Sequence, residues 1–367
     1  MYGSTFGNIF RITTWGESHG RGIGVVVDGC PAGLSLGEED IQAFLDRRKP
    51  GQSRFTTKRK EADQVEILSG VFEGKTTGHP ISLMVANTDQ RSHDYSEIAN
   101  CYRPGHADLN YDRKYGFRDY RGGGRSSGRE TIGRVAAGAI AAKLLKELGI
   151  TVSAYTYSIG PVQINRANFS KEEISNNALY MPDTQAAQAA QEYLDKCMRE
   201  TNSSGGMVEC EITGVPAGIG EPAFEKLDAA LAKAMFSIGA VKGFEIGEGM
   251  EAARLTGLEN NDAYRMDTEG QIMKKTNHSG GITGGISDGA PILFRAAFKP
   301  TPSIAAPQET VNRQGEEIEI RIKGRHDPII VPRAVVVVES MAALVILDAM
   351  LGSMTTRLDK IKEFFDK

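Results

Sequence analysis

Cysteine is scarce in this 367-residue chain, and no two of its four cysteines form a C-x-x-C pair. Their wide spacing excludes a disulfide-rich scaffold and offers no set of metal ligands, so we expect no metal site. The four cysteines are better interpreted as reduced thiols of a cytoplasmic protein: Cys30, Cys101, Cys197 and Cys210.

Long apolar runs without charge are also missing. The longest apolar stretch, residues 334–351, contains Glu339 and Asp348, so it is too short and too charged to cross a bilayer comfortably. We predict a buried strand over residues 334–338, followed by a buried helix. The first ten residues lack a basic stretch before an apolar core, so no signal peptide is expected.

A strong net charge is absent as well, since 43 Lys and Arg face 47 Asp and Glu and the formal charge is −4. The basic stretches are therefore local, which argues against a nucleic-acid-binding protein, in which a whole domain is usually basic. With 40% hydrophobic and 25% charged residues, the composition is ordinary for a soluble globular protein. The length allows two domains or one large domain.

Two pairs of similar segments suggest a diverged internal duplication. Residues 25–45 and 210–231 each contain a β-rich run, then G-x-P-A-G, then an amphipathic helix. Residues 69–85 and 279–296 each contain a glycine-punctuated hairpin that enters an apolar strand. The two pairs occur in the same order along the chain.

A looser third pair consists of the apolar segments that follow Arg129 and Arg325. We therefore predict an α+β fold with a single domain over residues 1–367. Its half-repeats would cover about 7–150 and 205–352, with an insertion over about 151–205 that includes a helix at 184–198. Ligands would then lie near the junction of the halves.

The most informative stretch is residues 103–134, which contains eight Arg or Lys residues, four acids, seven glycines and His106. Glycines let backbone N–H groups approach a ligand, and the helix N-terminus that follows adds partial positive charge. Arginines donate in a fork that matches phosphate and carboxylate, and histidine titrates near neutral pH. The stretch predicts a site for a small polyanion with a proton donor or acceptor beside it.

The segment W-G-E-S-H-G places His19 among small residues and near the carboxylate of Glu17. Such a histidine can be fixed in one tautomer and face a ligand. A turn histidine that binds local backbone explains the pattern equally well.

Residues 47–60 carry seven positive charges with no acid between them, and a Pro-Gly pair bends the run. Two alternatives stay open: a loop that carries Arg48 and Arg54 over an anionic ligand, or a solvated charged face.

In the second half of the chain, residues 299–303 (K-P-T-P-S) predict a rigid turn rich in hydrogen-bond donors. Residues 325–328 (R-H-D-P) place Asp327 between cations, as a proton relay or, more often for such patterns, as part of a buried ion pair.

Taken in order, these segments closely resemble the chorismate synthase family. The similarity covers about residues 7–350, and no core motif departs from the family pattern. The motifs that carry it are GESHG at 16–20, RRKPGQSR at 47–54, RPGHAD at 103–108, GGGRSSGRET at 122–131, AVKGFEIG at 240–247, NHSGG at 277–281, KPTPS at 299–303 and GRHDP at 324–328.

The resemblance implies a lyase that converts 5-enolpyruvylshikimate 3-phosphate to chorismate and phosphate, the final step of the shikimate pathway to aromatic amino acids. The family's reaction is an anti-1,4-elimination that requires reduced FMN and involves no net redox change. The resemblance also implies a homotetramer with a βαβ-sandwich core, which suits two pseudo-symmetric halves.

The resemblance also assigns roles to individual residues. His106 would protonate the departing phosphate, His19 would hold a proton near the reduced flavin, and Asp327 would assist hydrogen removal at flavin N5. Substrate or NADP would be bound by Arg48, Arg54, Arg129 and Arg134. FMN would contact Arg125, Ser126, Ser127, Gly239, Ala240, Gly284, Lys299, Pro300, Thr301, Pro302, Ser303 and Arg325.

Two other functions remain to be weighed. A non-catalytic RNA- or nucleotide-binding protein could use the two basic stretches, but there is no RNP-like aromatic motif and no basic overall charge. A flavin oxidoreductase could use FMN for net hydride transfer. Some family members also reduce their own flavin with NADPH, which the sequence leaves open.

Overall fold

The computed structural model describes residues 3–56, 62–87, 99–322 and 327–366. In chain order the strands are β1 Thr5–Phe6, β2 Arg11–Gly16, β3 Gly22–Asp28, β4 Val65–Ser69, β5 Val71–Phe72, β6 Lys75–Thr76, β7 Ile81–Ala86, β8 Thr151–Ile159, β9 Val162–Gln163, β10 Gly206–Thr213, β11 Val241–Ile246, β12 Tyr264–Met266, β13 Ile272–Lys274, β14 Ile282–Thr283, β15 Ile286–Ser287, β16 Ile292–Phe298, β17 Gln308–Val311 and β18 Glu317–Ile320. The α-helices are α1 Glu38–Arg48, α2 Asp108–Tyr115, α3 Thr131–Glu147, α4 Glu173–Asn176, α5 Thr184–Arg199, α6 Leu227–Phe236, α7 Gly257–Asn260, α8 Val331–Ser353 and α9 Leu358–Phe365.

Two five-stranded antiparallel sheets frame the molecule. The first has the order β1-β2-β3-β7-β4 and the second the order β11-β16-β10-β8-β9. Without the edge strands β1 and β9, the orders are β2-β3-β7-β4 and β8-β10-β16-β11. If the four strands of each sheet are numbered along the chain, both sheets have the same spatial order: first, second, fourth, third. In each sheet a helix follows the second strand, a short hairpin precedes the fourth, and a long helix comes later in the chain.

Helices α1, α3, α6 and α8 form the layer between the sheets. Helix α3 packs on β3, α8 packs on β8 and β10, and the two helices pack on each other. Their approach is close because α3 is rich in alanine and glycine. A Cβ on Gly138 would lie 2.2 Å from the Cβ of Ser340 on α8. The apolar core therefore runs through both halves, and the chain is a mixed helix-and-strand protein.

The predicted strand at residues 334–338 is wrong, because these residues belong to helix α8. A run of β-branched residues favours a strand in isolation, but α8 is buried against β8 and β10 of the second sheet and against helices α1, α3 and α6, and that packing decides the conformation. Pro332 in the first turn is compatible with a helix start. The helix is long and apolar enough to cross a membrane, with a mean hydropathy of 2.2, yet 78% of that window is buried within the protein.

The predicted insertion at 151–205 begins too early. Residues Val162–Gln163 form β9 at the edge of the second sheet, so only the chain after Gln163 lies outside that sheet. Residues Thr151–Ile159 form β8, which pairs with β10 inside the sheet. Its apolar side chains from Ala154 onward are buried, which makes it a core strand. The helix predicted at 184–198 is confirmed as α5, whose N-terminus is capped by the side chain of Asp183.

All four cysteines are buried and none is in a disulfide. Within the described ranges, no group of three or more His, Cys, Asp or Glu side chains is arranged to hold a metal ion.

Candidate active site

A cavity of about 670 Å³ opens where the two halves of the chain meet. One side, which we call the N-terminal wall, comes from the end of α1, the turn before α2 and the start of α3. The other side, the C-terminal wall, comes from residues 237–240, 298–303 and the start of α8. The lining residues are Arg48, Pro50, Arg103, Gly105, His106, Ala107, Asp108, Gly123, Arg125, Ser126, Ser127, Gly128, Arg129, Glu130, Thr131 and Arg134 on the first wall, and Ser237, Ile238, Gly239, Ala240, Phe298, Lys299, Thr301, Pro302, Ser303, Asp327, Ile330, Arg333, Ala334 and Val337 on the second.

Arg48 and Arg129 are joined on the N-terminal wall by one buried carboxylate, that of Asp63. Its Oδ2 accepts from Arg48 at 2.6 Å and its Oδ1 accepts from Arg129 at 3.1 Å. The Asp63 side chain has no exposed surface, and those of Arg48 and Arg129 are 2% and 9% exposed. Buried charges of this kind are stable only when they are paired and hydrogen-bonded.

Asn87 connects this network to the loop that carries His19. Its Oδ1 accepts from Nε and Nη2 of Arg129, at 3.0 and 2.7 Å. Its amide nitrogen donates to the carbonyl oxygens of Glu17 and Gly20, at 3.1 and 2.8 Å. The loop between β2 and β3 is therefore tied to an arginine of the cavity through a single side chain.

The remaining arginines of this wall are also paired. Arg134 donates to Glu130 at 2.8 Å, one turn earlier on the helix, and to the hydroxyl of Ser237 on the opposite wall at 2.6 Å. Arg125 donates to the hydroxyl of Thr14 at 2.5 Å. Ser127 caps the start of this segment by accepting from the N–H of Arg129. The cations are thus fixed before any ligand binds.

His106 lies in the turn before α2, and its two ring nitrogens have different partners. Nδ1 lies 3.0 Å from the carbonyl oxygen of Pro104, and Nε2 lies 2.9 Å from the hydroxyl of Ser303 on the C-terminal wall. A carbonyl oxygen only accepts, so Nδ1 carries the hydrogen and, in the neutral ring, Nε2 accepts from Ser303. The geometry assigns Nε2 as the atom that exchanges a proton with a ligand.

Burial, followed by the positive charge of Arg103, lowers the pKa of His106 to about 4. Arg103 itself is neutralised by Asp108, which accepts from its Nε at 2.7 Å and from its Nη2 at 2.8 Å. Burial raises the pKa of Asp108, but the hydrogen bonds from Arg103 outweigh it and keep that pKa below its usual value. His106 is therefore neutral at pH 7 while the cavity contains no anion.

The turn at 299–303 is joined to the turn of His106. Nζ of Lys299 donates to the carbonyl of Gly105 at 2.8 Å, and a Cβ on Gly105 would lie 2.7 Å from the Cβ of Pro302. Gly105 has a φ of +70°, which glycine adopts without strain. Burial, then the charge of Lys242, lowers the pKa of Lys299. Oγ1 of Thr301 is buried and has no hydrogen-bond partner among the described residues.

Asp327 lies just before α8, and its Oδ2 accepts from Arg333, in the first turn of that helix, at 2.6 Å. Nε of Arg333 also donates to the carbonyl of Arg48, at the end of α1, at 2.9 Å. The carboxylate on the C-terminal wall is therefore linked to the arginine network of the N-terminal wall.

The structure brings most of the predicted site residues to one cavity. Lining it are His106, Asp327, Arg48, Arg125, Ser126, Ser127, Arg129, Arg134, Gly239, Ala240, Lys299, Thr301, Pro302 and Ser303. Four predicted residues that the structure describes do not line this cavity: His19, Arg54, Gly284 and Pro300. Arg325 falls outside the described residues.

These residues have identifiable surroundings. His19 is half-buried, with Nδ1 3.1 Å from the hydroxyl of Ser18, and packs against Gly122, where a Cβ would lie 2.2 Å from Nδ1. Arg54 pairs with Asp195 on α5 at 2.9 Å and is 60% exposed. Gly284 lies in the exposed turn of the β14–β15 hairpin.

Sequence patterns missed four residues of the site: Asp63, Asn87, Arg103 and Arg333. Arg103 is the first residue of the basic stretch 103–134, and Arg333 directly precedes the apolar run 334–351. Their positions in the sequence could therefore have identified both. Asp63 and Asn87 lie in polar stretches next to apolar strands, and neither pattern nor spacing distinguishes them from surface residues.

The fold and the cavity define the class of protein: a mixed helix-and-strand protein with an arginine-lined cavity suited to small anionic molecules, built where two sheet-and-helix halves meet. The sequence profile of the chorismate synthase family matches residues 10–351. Chorismate synthase of Agathobacter rectalis is 69% identical over 367 residues, the full length of both chains. That of a Synechocystis strain is 54% identical over 95% of this chain and 97% of its own.

Among solved structures, a crystal structure of chorismate synthase superposes with a TM-score of 0.77 at 32% identity and covers 98% of this chain and 97% of its own. The chain belongs to the chorismate synthase family.

Proposed function

We infer that the protein converts 5-enolpyruvylshikimate 3-phosphate to chorismate and phosphate, the last step of the shikimate pathway. Family membership over nearly the whole chain supports this lyase activity. The observation that carries it in the structure is a single cavity in which paired arginines face a histidine with a defined proton-transfer atom. A substrate with one phosphate and two carboxylates matches such forked donors.

The family uses a flavin, and we propose that it is reduced FMN, bound mainly on the C-terminal wall and contacting residues 125–127 of the N-terminal wall. The Oγ1 hydroxyl of Thr301 is buried without a hydrogen-bond partner among the described residues, and it could donate to a bound ligand. Ile238, Phe298 and Val337 offer apolar surface for a flat ring, and Lys299 offers a cation for an anionic group. When bound, a reduced flavin supplies electron density that helps the phosphate leave. The residues proposed to bind it are Arg125, Ser126, Ser127, Gly239, Ala240, Gly284, Lys299, Pro300, Thr301, Pro302, Ser303 and Arg325.

For the chemistry of this chain's own residues, we propose that His106 donates a proton from Nε2 to the departing phosphate. Because the ring is neutral in the free protein, the proton must be gained when the anionic substrate binds beside it, since a nearby negative charge favours the protonated ring. Ser303 would give up its hydrogen bond to Nε2 at that point.

The other proposed roles are less direct. Asp327 provides a carboxylate on the C-terminal wall that takes up a proton. His19 holds a proton near the flavin from its loop, which Asn87 ties to Arg129. Arg48, Arg129 and Arg134 orient the substrate's anionic groups, and Arg54 is proposed, from the family resemblance, to bind substrate or NADP.

We propose further that the chain is one domain of two pseudo-symmetric halves, with the matching strand orders of the two sheets as support. The remaining proposals follow from the family resemblance: a cytoplasmic homotetramer that acts without nucleic acid or membrane.

The decisive experiment is anaerobic incubation with 5-enolpyruvylshikimate 3-phosphate and chemically reduced FMN, with chorismate followed by absorbance. Chorismate formation supports the proposal, and none from folded protein would refute it. A parallel reaction with oxidised FMN and NADPH tests whether the protein reduces its own flavin. Retention on heparin that is lost at modest salt, without flavin affinity, would favour a nucleic-acid-binding protein instead.

A further inference from the structure

We propose that Asp63 is a positioning residue that presents Arg48 and Arg129 side by side as one anion-binding pair. The proposal rests on the function proposed above, because it assigns that pair to the substrate's anionic groups. Neither motif nor spacing marks Asp63 in the sequence, and it does not line the cavity itself.

The first argument is the geometry of the shared carboxylate. The two oxygens of Asp63 bind different arginines, one from the end of α1 and one from the turn before α3, at 2.6 and 3.1 Å. Two guanidinium groups this close repel each other, and burial would increase the repulsion. One carboxylate between them leaves the trio with a net charge of +1, so an anion still gains by binding there.

The second argument is that Asp63 fixes directions as well as charge. Arg48 donates from Nη1 to the carbonyl of Gly128 at 3.2 Å and to the hydroxyl of Thr131 at 3.3 Å, while Nη2 donates to Asp63. Its Nε is buried and has no partner among the described residues. Three of the five donors of the guanidinium are therefore held within the protein, which fixes its orientation, as preorganised binding requires.

The third argument is backbone strain. Asp63 has a φ of +47°, in the left-handed region that residues other than glycine rarely adopt. Such strain costs about 1–3 kcal/mol and persists where the surroundings impose it, often at functional sites. Here the strained backbone lets a single side chain reach arginines of two separate elements.

Glu209 provides a matched control elsewhere in the molecule. It too is a fully buried carboxylate shared by two arginines, Arg166 at 2.5 Å and Arg295 at 3.1 Å. It lies on β10 and does not line the cavity. Its arginines are more exposed, at 49% and 21%, but a change at Glu209 likewise removes a buried carboxylate from two arginines, and it does so without touching the proposed site.

The test compares Asp63→Asn with Glu209→Gln in steady-state turnover and in flavin binding. We expect Asp63→Asn to raise the KM for 5-enolpyruvylshikimate 3-phosphate about 10- to 100-fold while the flavin Kd stays within about twofold, because misplaced anchors weaken substrate binding. Glu209→Gln should leave KM unchanged. An unchanged KM in Asp63→Asn, or an equal rise in both variants, would overturn the proposal.

If Asp63→Asn alone does not fold, the same change is made in the Arg48→Met background, where only one buried guanidinium needs a partner. Asp63→Asn should then raise KM by no more than about threefold over Arg48→Met alone, because the pair is already lost. A rise of about tenfold or more over Arg48→Met alone would show that Asp63 acts independently of Arg48 and would contradict the proposal.

Inorganic phosphate separates this proposal from the proposed function, since its binding needs no turnover. We expect phosphate to raise the Tm of the wild type and of Glu209→Gln, and to raise that of Asp63→Asn much less. Wild-type protein that makes no chorismate but shows this pattern would refute the function and support the role of Asp63. The same Tm shift in all three proteins would refute the role of Asp63, whether or not chorismate forms.

Discussion

The two walls of the cavity differ in how their polar groups are satisfied. On the N-terminal wall each arginine already has an acceptor within the protein, and two of them share the buried Asp63. On the C-terminal wall apolar side chains predominate, and the hydroxyl of Thr301 has no partner in the part of the chain that is described. This difference supports the proposal that the N-terminal wall binds charged groups and the C-terminal wall binds a flat, largely apolar ring.

The largest expected effect is on kcat and concerns His106, whose Nε2 contacts Ser303 of the opposite wall. His106→Ala should lower kcat by about two to four orders of magnitude, the usual contribution of a general acid or base. Flavin binding should remain, because His106 is not among the residues assigned to the flavin. Anaerobic turnover and flavin titration measure the two quantities. We expect a loss of the same range for His19→Ala, and full activity in either variant would refute the role of that histidine.

A substitution that forces apart the turn of His106 and the turn at residues 299–303 should lower the free energy of unfolding. Gly105→Ala places a Cβ 2.7 Å from the Cβ of Pro302 at a φ of +70°, so we expect a loss of about 2–3 kcal/mol in the free energy of unfolding. Gly116→Ala is the matched control, since Gly116 has a similar φ of +81° with open space around its Cβ position. Its loss should be only about 1 kcal/mol. Equal losses in urea unfolding would show that the turns are not closely packed.

The charge environment of His106 also predicts a pH dependence. Its pKa in the folded protein is about 4, below the ordinary value of 6.5, so the unfolded chain binds more protons between these values. Its contribution to stability is complete above about pH 6.5 and is lost as the pH falls towards 4. His106→Gln should flatten the fall by about 1–2 kcal/mol, allowing for partial exposure of the ring. Identical pH profiles for the two proteins would contradict the lowered pKa.

The smallest expected effect concerns the hydroxyl of Thr301, which tests whether the flavin contacts the C-terminal wall. Thr301→Val removes a buried hydroxyl that has no partner, so the free protein should gain up to about 1 kcal/mol, while flavin affinity falls by about tenfold. Ser340→Ala removes another buried hydroxyl without a partner among the described residues, but away from the cavity. It should give the gain in stability without the loss of flavin affinity. Unchanged flavin affinity in Thr301→Val would remove that hydroxyl from the flavin site.

Much of the site could be predicted because its residues occur in dense local patterns. Glycine turns, clustered arginines and Pro-containing turns impose their conformation locally, so residues 103–134 and 299–303 were found from the sequence. Their meeting in one cavity depends on how the sheets pack. The contact of Ser303 with His106 joins residues 197 positions apart, which no local pattern contains.

The wrong and missed predictions also depend on tertiary packing that the local sequence does not contain. The valine run in α8 was predicted as a strand because its environment, a helical layer between sheets, is not visible in its own sequence. Asp63 went unnoticed because one aspartate before a strand is usually a surface residue, and only burial between two arginines gives it a role. Helix α5, with its Asp183 cap and regular apolar face, needed no tertiary information and was predicted correctly.

A crystal structure with both 5-enolpyruvylshikimate 3-phosphate and FMN would test the division of the cavity most directly. We predict the substrate's phosphate within hydrogen-bond distance of Nε2 of His106, its anionic groups on Arg48 and Arg129, and the flavin against Thr301 on the C-terminal wall. Ligands in the reverse arrangement, or either ligand bound outside this cavity, would contradict the account.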